Sequence, residues 1–210
     1  MSEQRDDADA IVAAGLTAAQ VAALPTRDRV PMDDFIEMLE ADARRVTEQA
    51  ARGEITVSQW EAEMRRIIKI AHNGAALAGR AGEPMGIVER LLDWARRQRR
   101  IAEQFDYLHR FGMDLLSGRY DDESQLGSVI GRALLYVGAA WLTYSMTAEK
   151  VARKRGLREK RRVLEPGARH CTTCLEQAAL GWVSIDDPRV TGIGEDTLCG
   201  HNDRCIIDYR

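Results

Sequence analysis

Apolar residues recur every three to four positions along most of the stretch from Met32 to Arg155, and this period limits what the chain can fold into more than any other feature. Such a repeat places the apolar side chains on one face of an α-helix. In MDDFIEMLEADARRVTEQAARG the face is Phe35, Ile36, Leu39, Ala43 and Val46, with Asp33 and Asp34 at the start and Gly53 at the end, as helix polarity prefers. In TVSQWEAEMRRIIKIAHNGAALAG it is Trp60, Met64, Ile67, Ile68 and Ala71. There Thr56 with Gln59, or Ser58 with Glu61, can form a capping box.

A third helical region runs from about Met85 to Ser117, with Val88, Leu91, Leu92, Ala95, Ala102, Phe105, Leu108 and Leu115 in phase. A fourth runs from about Glu123 to Arg155, along Leu126, Val129, Ile130, Ala133, Val137, Trp141 and Tyr144. The turn-forming SGRYDDES joins them, so an antiparallel hairpin is expected, with the two earlier helices packed against it. Ala133 to Thr147 carries no charge, but it is shorter than the roughly 18–20 residues of a membrane span and contains Thr, Tyr and Ser. It reads as a buried core helix.

Upstream, residues 1–31 are Ala-rich and acidic, and Pro25 and Pro31 break helix there, so an N-terminal arm is expected. The opening residues lack the basic and apolar segments of a secretory leader, which favours a reducing compartment. The net charge of −3 leaves any pull toward nucleic acid to local patches. The pattern changes after Gly156, and the domains expected are the arm (1–31), a helical domain (32–160) and a small C-terminal module (161–210) with β-prone GWVSI and CIIDY.

All four cysteines fall in that module: Cys171-x2-Cys174, then Cys199-x5-Cys205. A Cys-x2-Cys turn presents two sulfurs to one ion, and a second pair completes a tetrahedron. The favoured reading is a structural zinc site of Cys171, Cys174, Cys199 and Cys205, in which His201 or His170 can replace one thiolate. Disulfides and reactive thiols stay open, although no βαβ context supports a thioredoxin-like motif. A module this small needs such a staple.

The run KVARKRGLREKRR holds Lys150, Arg153, Lys154, Arg155, Arg158, Lys160, Arg161 and Arg162 against the single Glu159. It reads either as the solvated end of a long helix or as a contact with phosphates or an acidic partner. RRQRR, Arg96 to Arg100, reads as a solvated face, and His72 and His109 as ordinary helix residues. No P-loop, Rossmann fingerprint or nucleophile elbow is present, and GIGED reads as a packing turn. An enzyme is not expected.

The order of features, with RRVLEPGARHCTTCLEQAALGWVSIDDP followed by GIGEDTLCGHNDRCIIDYR, resembles the C-terminal module of phage minor head proteins, the Mu F-like or head-morphogenesis family. The resemblance covers about residues 155–210. Where the family often has Pro and His before Cys-x-Cys, this chain reads CGHNDRC. The resemblance implies a structural virion protein of the head, made in the host cytoplasm, bound to portal or capsid protein in an oligomeric assembly and touching packaged DNA. The alternative is a zinc-knuckle DNA-binding regulator, with the basic run as its contact. The fold expected is mainly α: an elongated bundle with a long helix hairpin and a four-cysteine zinc knuckle with short strands.

Overall fold

The computed structural model describes residues 30–120, 123–165, 170–193, 198 and 205–210. The chain is mainly helical. Helix α1 covers Val30–Ala51, α2 Val57–Arg80 and α3 Ile87–Leu116. After a 3-10 turn come α4, Leu126–Gly138, and α5, Ala140–Lys154. Strand β1, Glu159–Val163, helix α6, Thr172–Ala179, and strands β2, Val183–Ser184, and β3, Ile206–Tyr209, complete the order. Nearly all of the expected arm lies outside the described residues. Pro31 stands in the first turn of α1, where its missing N–H costs nothing.

Local chemistry sets the ends of α2. The Thr56 side chain accepts from the Gln59 N–H at 3.2 Å, and the Gln59 side chain accepts from the Thr56 N–H at 2.8 Å. The Thr56–Gln59 capping box is therefore the one used. At the other end Ala81 (φ 47°) and Gly82 (φ 74°) turn left-handed and stop the helix. Gly138 precedes a one-residue interruption at Ala139, so the expected fourth helix is two pieces, α4 and α5.

The helix hairpin runs antiparallel as expected. Asp93, early in α3, meets Lys150, late in α5, at 2.8 Å, and Asp114, late in α3, meets Arg132 of α4 at 3.1 Å. Yet long side chains bridge that pair, while the closest backbone packing belongs to α2 against α5 and α3, and to α1 against α4 and α2. The small residues of NGAALAGR explain this. Gly79 brings α5 so close that a Cβ there would lie 2.6 Å from the Tyr144 carbonyl oxygen.

The core joins Phe35, Leu39, Trp60, Met64, Phe111 and Trp141 with their neighbours on α1 to α5. Trp60 and Phe111 meet edge to face with centroids 5.5 Å apart, and Trp60 Nε1 donates to Thr47 Oγ1 at 3.0 Å. The uncharged segment contributes Ala133, Val137 and Ala140 to this core. Its hydroxyls are satisfied inside: Thr143 Oγ1 bonds His72 Nδ1 at 2.7 Å, and Ser145 Oγ accepts from the Ile193 N–H at 3.2 Å. By length and composition Leu126–Lys154 could cross a membrane, but 56% of its most apolar window is buried within the protein, as in an internal core helix.

One expected stripe is not buried. Val88, Leu91 and Leu92 of α3 are 71%, 61% and 52% exposed, whereas Leu108 and Phe111, further along, are fully covered. The period identified the apolar face of α3, but the other helices cover only its second half.

The C-terminal strands form an antiparallel sheet in the order β2-β1-β3. Glu159 pairs with Ser184 on one side, and Arg161 pairs with Asp208 on the other. β1 straddles the boundary expected at 160/161. The C-terminal segment also shares the helical core rather than standing apart, because Ile193 is buried among the core residues and Ile207 packs against them.

Candidate functional site

Cys171 caps the N-terminus of α6, and its Sγ accepts from the Cys174 N–H at 3.4 Å. Cys174, in the first turn, is fully buried. The two Sγ atoms are 3.4 Å apart, well beyond a disulfide bond of about 2.05 Å. Two thiolates on one tetrahedral zinc, each about 2.3 Å from the metal, stand about 3.8 Å apart, so this pair is close to ligand spacing.

Cys205, buried just before β3, brings its Sγ to 3.6 Å from His170 Nδ1. His170 Nε2 faces the Glu165 carbonyl oxygen at 2.9 Å, a contact that requires a proton on Nε2. In the neutral ring that proton leaves the Nδ1 lone pair on the side of Cys205, the form in which imidazole ligates a metal. Cys199 and His201 lie outside the described residues. Among the described residues no group of three or more His, Cys, Asp or Glu side chains is placed to hold a metal ion. Two donor pairs of the right chemical types are present, Cys171 with Cys174 and His170 with Cys205.

Arg162, expected as an outward contact, turns inward and is 2% exposed. Its Nε donates to Gln177 Oε1 at 2.8 Å and its Nη2 to the Thr191 carbonyl oxygen at 3.0 Å, while Nη1 points at Cys174 Sγ from 3.8 Å. One guanidinium thus ties β1 to α6, to the loop at Thr191 and to a candidate ligand thiol. Lys160, also on the inner side of β1, is 7% exposed. Because side chains alternate along a strand, neither belongs to a continuous basic surface.

The rest of the basic run is largely engaged within the chain. Lys150 bonds Asp93 at 2.8 Å and Glu89 at 3.1 Å. Arg153 bridges Glu149 at 2.7 Å and Asp186 at 2.6 Å, and Arg155 bonds Glu83 at 2.9 Å. Lys154 donates to the Pro84 carbonyl oxygen and lies 3.7 Å from Glu89. Arg161 pairs with Asp208 at 2.8 Å and stacks over Trp182, 4.6 Å from its centroid. Arg158 is exposed. The run ends α5 at Lys154 and continues as β1 instead of extending the helix. Its carboxylate partners lie as far as 72 residues away in sequence, so local reading could not find them.

Two surface features escaped the sequence reading. The start of α3 carries an apolar face of Ile87, Val88, Leu91 and Leu92, with Trp94 beside it 55% exposed. Arg96 and Arg97 help line a cleft of about 600 Å³ between α3, α5 and residues 188–191. Their only sequence signal was the RRQRR cluster.

No family model, curated protein or solved structure matches the chain.

Proposed function

We propose that the chain is a structural protein of a phage head, held in an oligomeric assembly with portal or capsid protein. The observation that carries this reading is the apolar face at the start of α3, where Ile87 and Val88 are 70% and 71% exposed. A run of large apolar side chains left to water along two helical turns is the mark of a protein contact. The likeness of residues 155–210 to the head-morphogenesis module supplies the kind of assembly.

Within this reading, zinc staples the C-terminal segment. Cys171, Cys174 and Cys205 would be ligands, with Cys199 or a histidine, His201 or His170, completing the set. Bound zinc would hold the segment's thiolates together and supply folding free energy, with no catalytic step assigned to it. The zinc-knuckle DNA-binding regulator is less well supported. It needs a basic surface turned outward, and Lys150, Arg153, Arg155 and Arg161 bond carboxylates of this chain.

The test replaces Leu91 and Leu92 with glutamate and follows assembly. Purified particles from a producing host are assayed for the chain by mass spectrometry, and wild type and variant are compared for incorporation. Wild type is expected in the head fraction, and L91E/L92E is expected to stay soluble, unincorporated and equally helical by circular dichroism. Absence of the wild-type chain from particles, or full incorporation of the variant, would overturn the reading.

A further inference from the structure

The cleft between α3 and α5 is charged unevenly. Six cationic side chains line it against two carboxylates, Asp93 and Glu149. Those carboxylates are already engaged, Asp93 by Lys150 at 2.8 Å and Glu149 by Arg153 at 2.7 Å. Arg96, Arg97 and Lys160 bond no carboxylate among the described residues. Asp187, within the longer-range field of Lys160, has its carboxylate bonded to Arg189 at 2.7 Å.

Arg97 is the most telling of the three. Its Nε is shut off from water and has no hydrogen-bond partner among the described residues. Burial, and then the neighbouring charge of Arg80, hold its guanidinium below the usual arginine range, with Asp93 opposing them. A buried donor on a charged group costs free energy unless an anion compensates it.

We propose that this cleft binds a phosphate ester, with its oxyanion seated among Arg96, Arg97 and Lys160. Guanidinium forks and an ammonium lining one cleft suit a tetrahedral anion carrying more than one charge. A volume of about 600 Å³ is that of a small-molecule site rather than of a bare ion. Apolar atoms of Met146, Pro188 and Val190 give the organic part of the ester a surface to lie on. The site does not depend on the assembly reading, because it uses the opposite chemistry to the apolar face of α3.

The shared chemistry has two sources, a free phosphorylated metabolite and the phosphodiester of a nucleic acid. Isothermal titration of the full chain with adenosine monophosphate, inorganic pyrophosphate and a short single-stranded oligothymidylate separates them. Saturable binding of at least one probe is expected, weakened roughly ten- to a hundred-fold in Arg97→Met and in Lys160→Met. Preference for the mononucleotide or pyrophosphate assigns a metabolite, and preference for the oligonucleotide assigns a phosphodiester.

Without ligand, Arg97→Met should melt no lower than wild type, because it removes a charge whose burial Asp93 only partly offsets. A lower melting point would make Arg97 a structural residue and overturn the proposal. So would the absence of saturable binding by all three probes, or an unchanged affinity in Arg97→Met. Arg96→Gln, on the exposed side of α3, keeps the test informative if the other variants fail to fold, since it too should weaken binding.

Discussion

Gly79 of α2 lies against the Tyr144 backbone of α5: a Cβ on Gly79 would stand 2.6 Å from the Tyr144 carbonyl oxygen and 2.9 Å from Thr147 Cβ. Both helices are fixed by further partners, and the first obstacle is backbone, which cannot rotate away. Gly79→Ala gains helix propensity but must force the pair apart, at a cost of about 1–3 kcal/mol. Chemical denaturation should show the loss in midpoint with the slope unchanged. A neutral or stabilised variant would mean that the helices are not pressed together at this point.

Thr47 relays a hydrogen bond through the core. Its Oγ1 donates to the Ala43 carbonyl oxygen at 2.7 Å and accepts from Trp60 Nε1 at 3.0 Å. Thr47→Val keeps the shape but leaves the indole N–H buried without an acceptor, a cost of about 1–3 kcal/mol. Thr47→Ser should retain more of the stability than Thr47→Val. Equal stability of the two variants would show that the indole finds another acceptor.

Glu61 pairs with Arg65 of its own helix at 2.6 Å and links α2 to α3 through His109 at 3.3 Å. Burial opposes its charge, but hydrogen bonds from Arg65 and His109 outweigh that and hold its carboxyl below 4.5. A carboxyl with a depressed folded-state pKa contributes stability that is complete above its unfolded value and is lost as pH falls through the folded one. Wild type should therefore lose stability below pH 4.5 more steeply than Glu61→Gln, as read by melting temperature at stepped pH. Parallel curves would remove Glu61 from the acid response.

If zinc staples the C-terminal segment, chelation should act locally. Hydrogen exchange should speed up in β1, β3 and α6 while α1 and α2 stay protected. Cys174→Ser should reproduce the effect and abolish stoichiometric zinc by elemental analysis. An unchanged exchange pattern after chelation, with every thiol reactive in the native chain, would remove the staple.

The helical domain was legible because it obeys a local rule. Phe35, Leu39, Trp60, Met64 and Ile68 are spaced for one face, and each is buried. GWVSI and CIIDY became β2 and β3 for the same kind of reason. What stayed hidden depends on residues far apart in sequence. Leu91 and Leu92 have the period of a core stripe, but period does not say whether another helix covers them. Arg155 looked available until Glu83 was placed beside it. β1 was missed because EKRRV has no apolar alternation; its strand form comes from its two neighbours. At the candidate site, the Cys171–Cys174 spacing was readable, whereas the meeting of His170 with Cys205 needed the sheet to bring the ends of the segment together.

That strand has a consequence for how its pairing is specified. Most strands find their alignment by burying greasy residues on alternate positions, and a shift by one exposes them. β1 instead offers cations on both sides, so hydrophobicity does not choose between the two frames. The choice rests on what each arginine meets: acceptors on Gln177 and Thr191 for Arg162, and Asp208 with the Trp182 ring for Arg161. Two adjacent residues of the same type and charge are therefore not equivalent. Lysine at 161 keeps a point charge beside Asp208, whereas lysine at 162 lacks the planar fork that spans its separate acceptors. The sheet is aligned by the shape of a guanidinium rather than by oil and water.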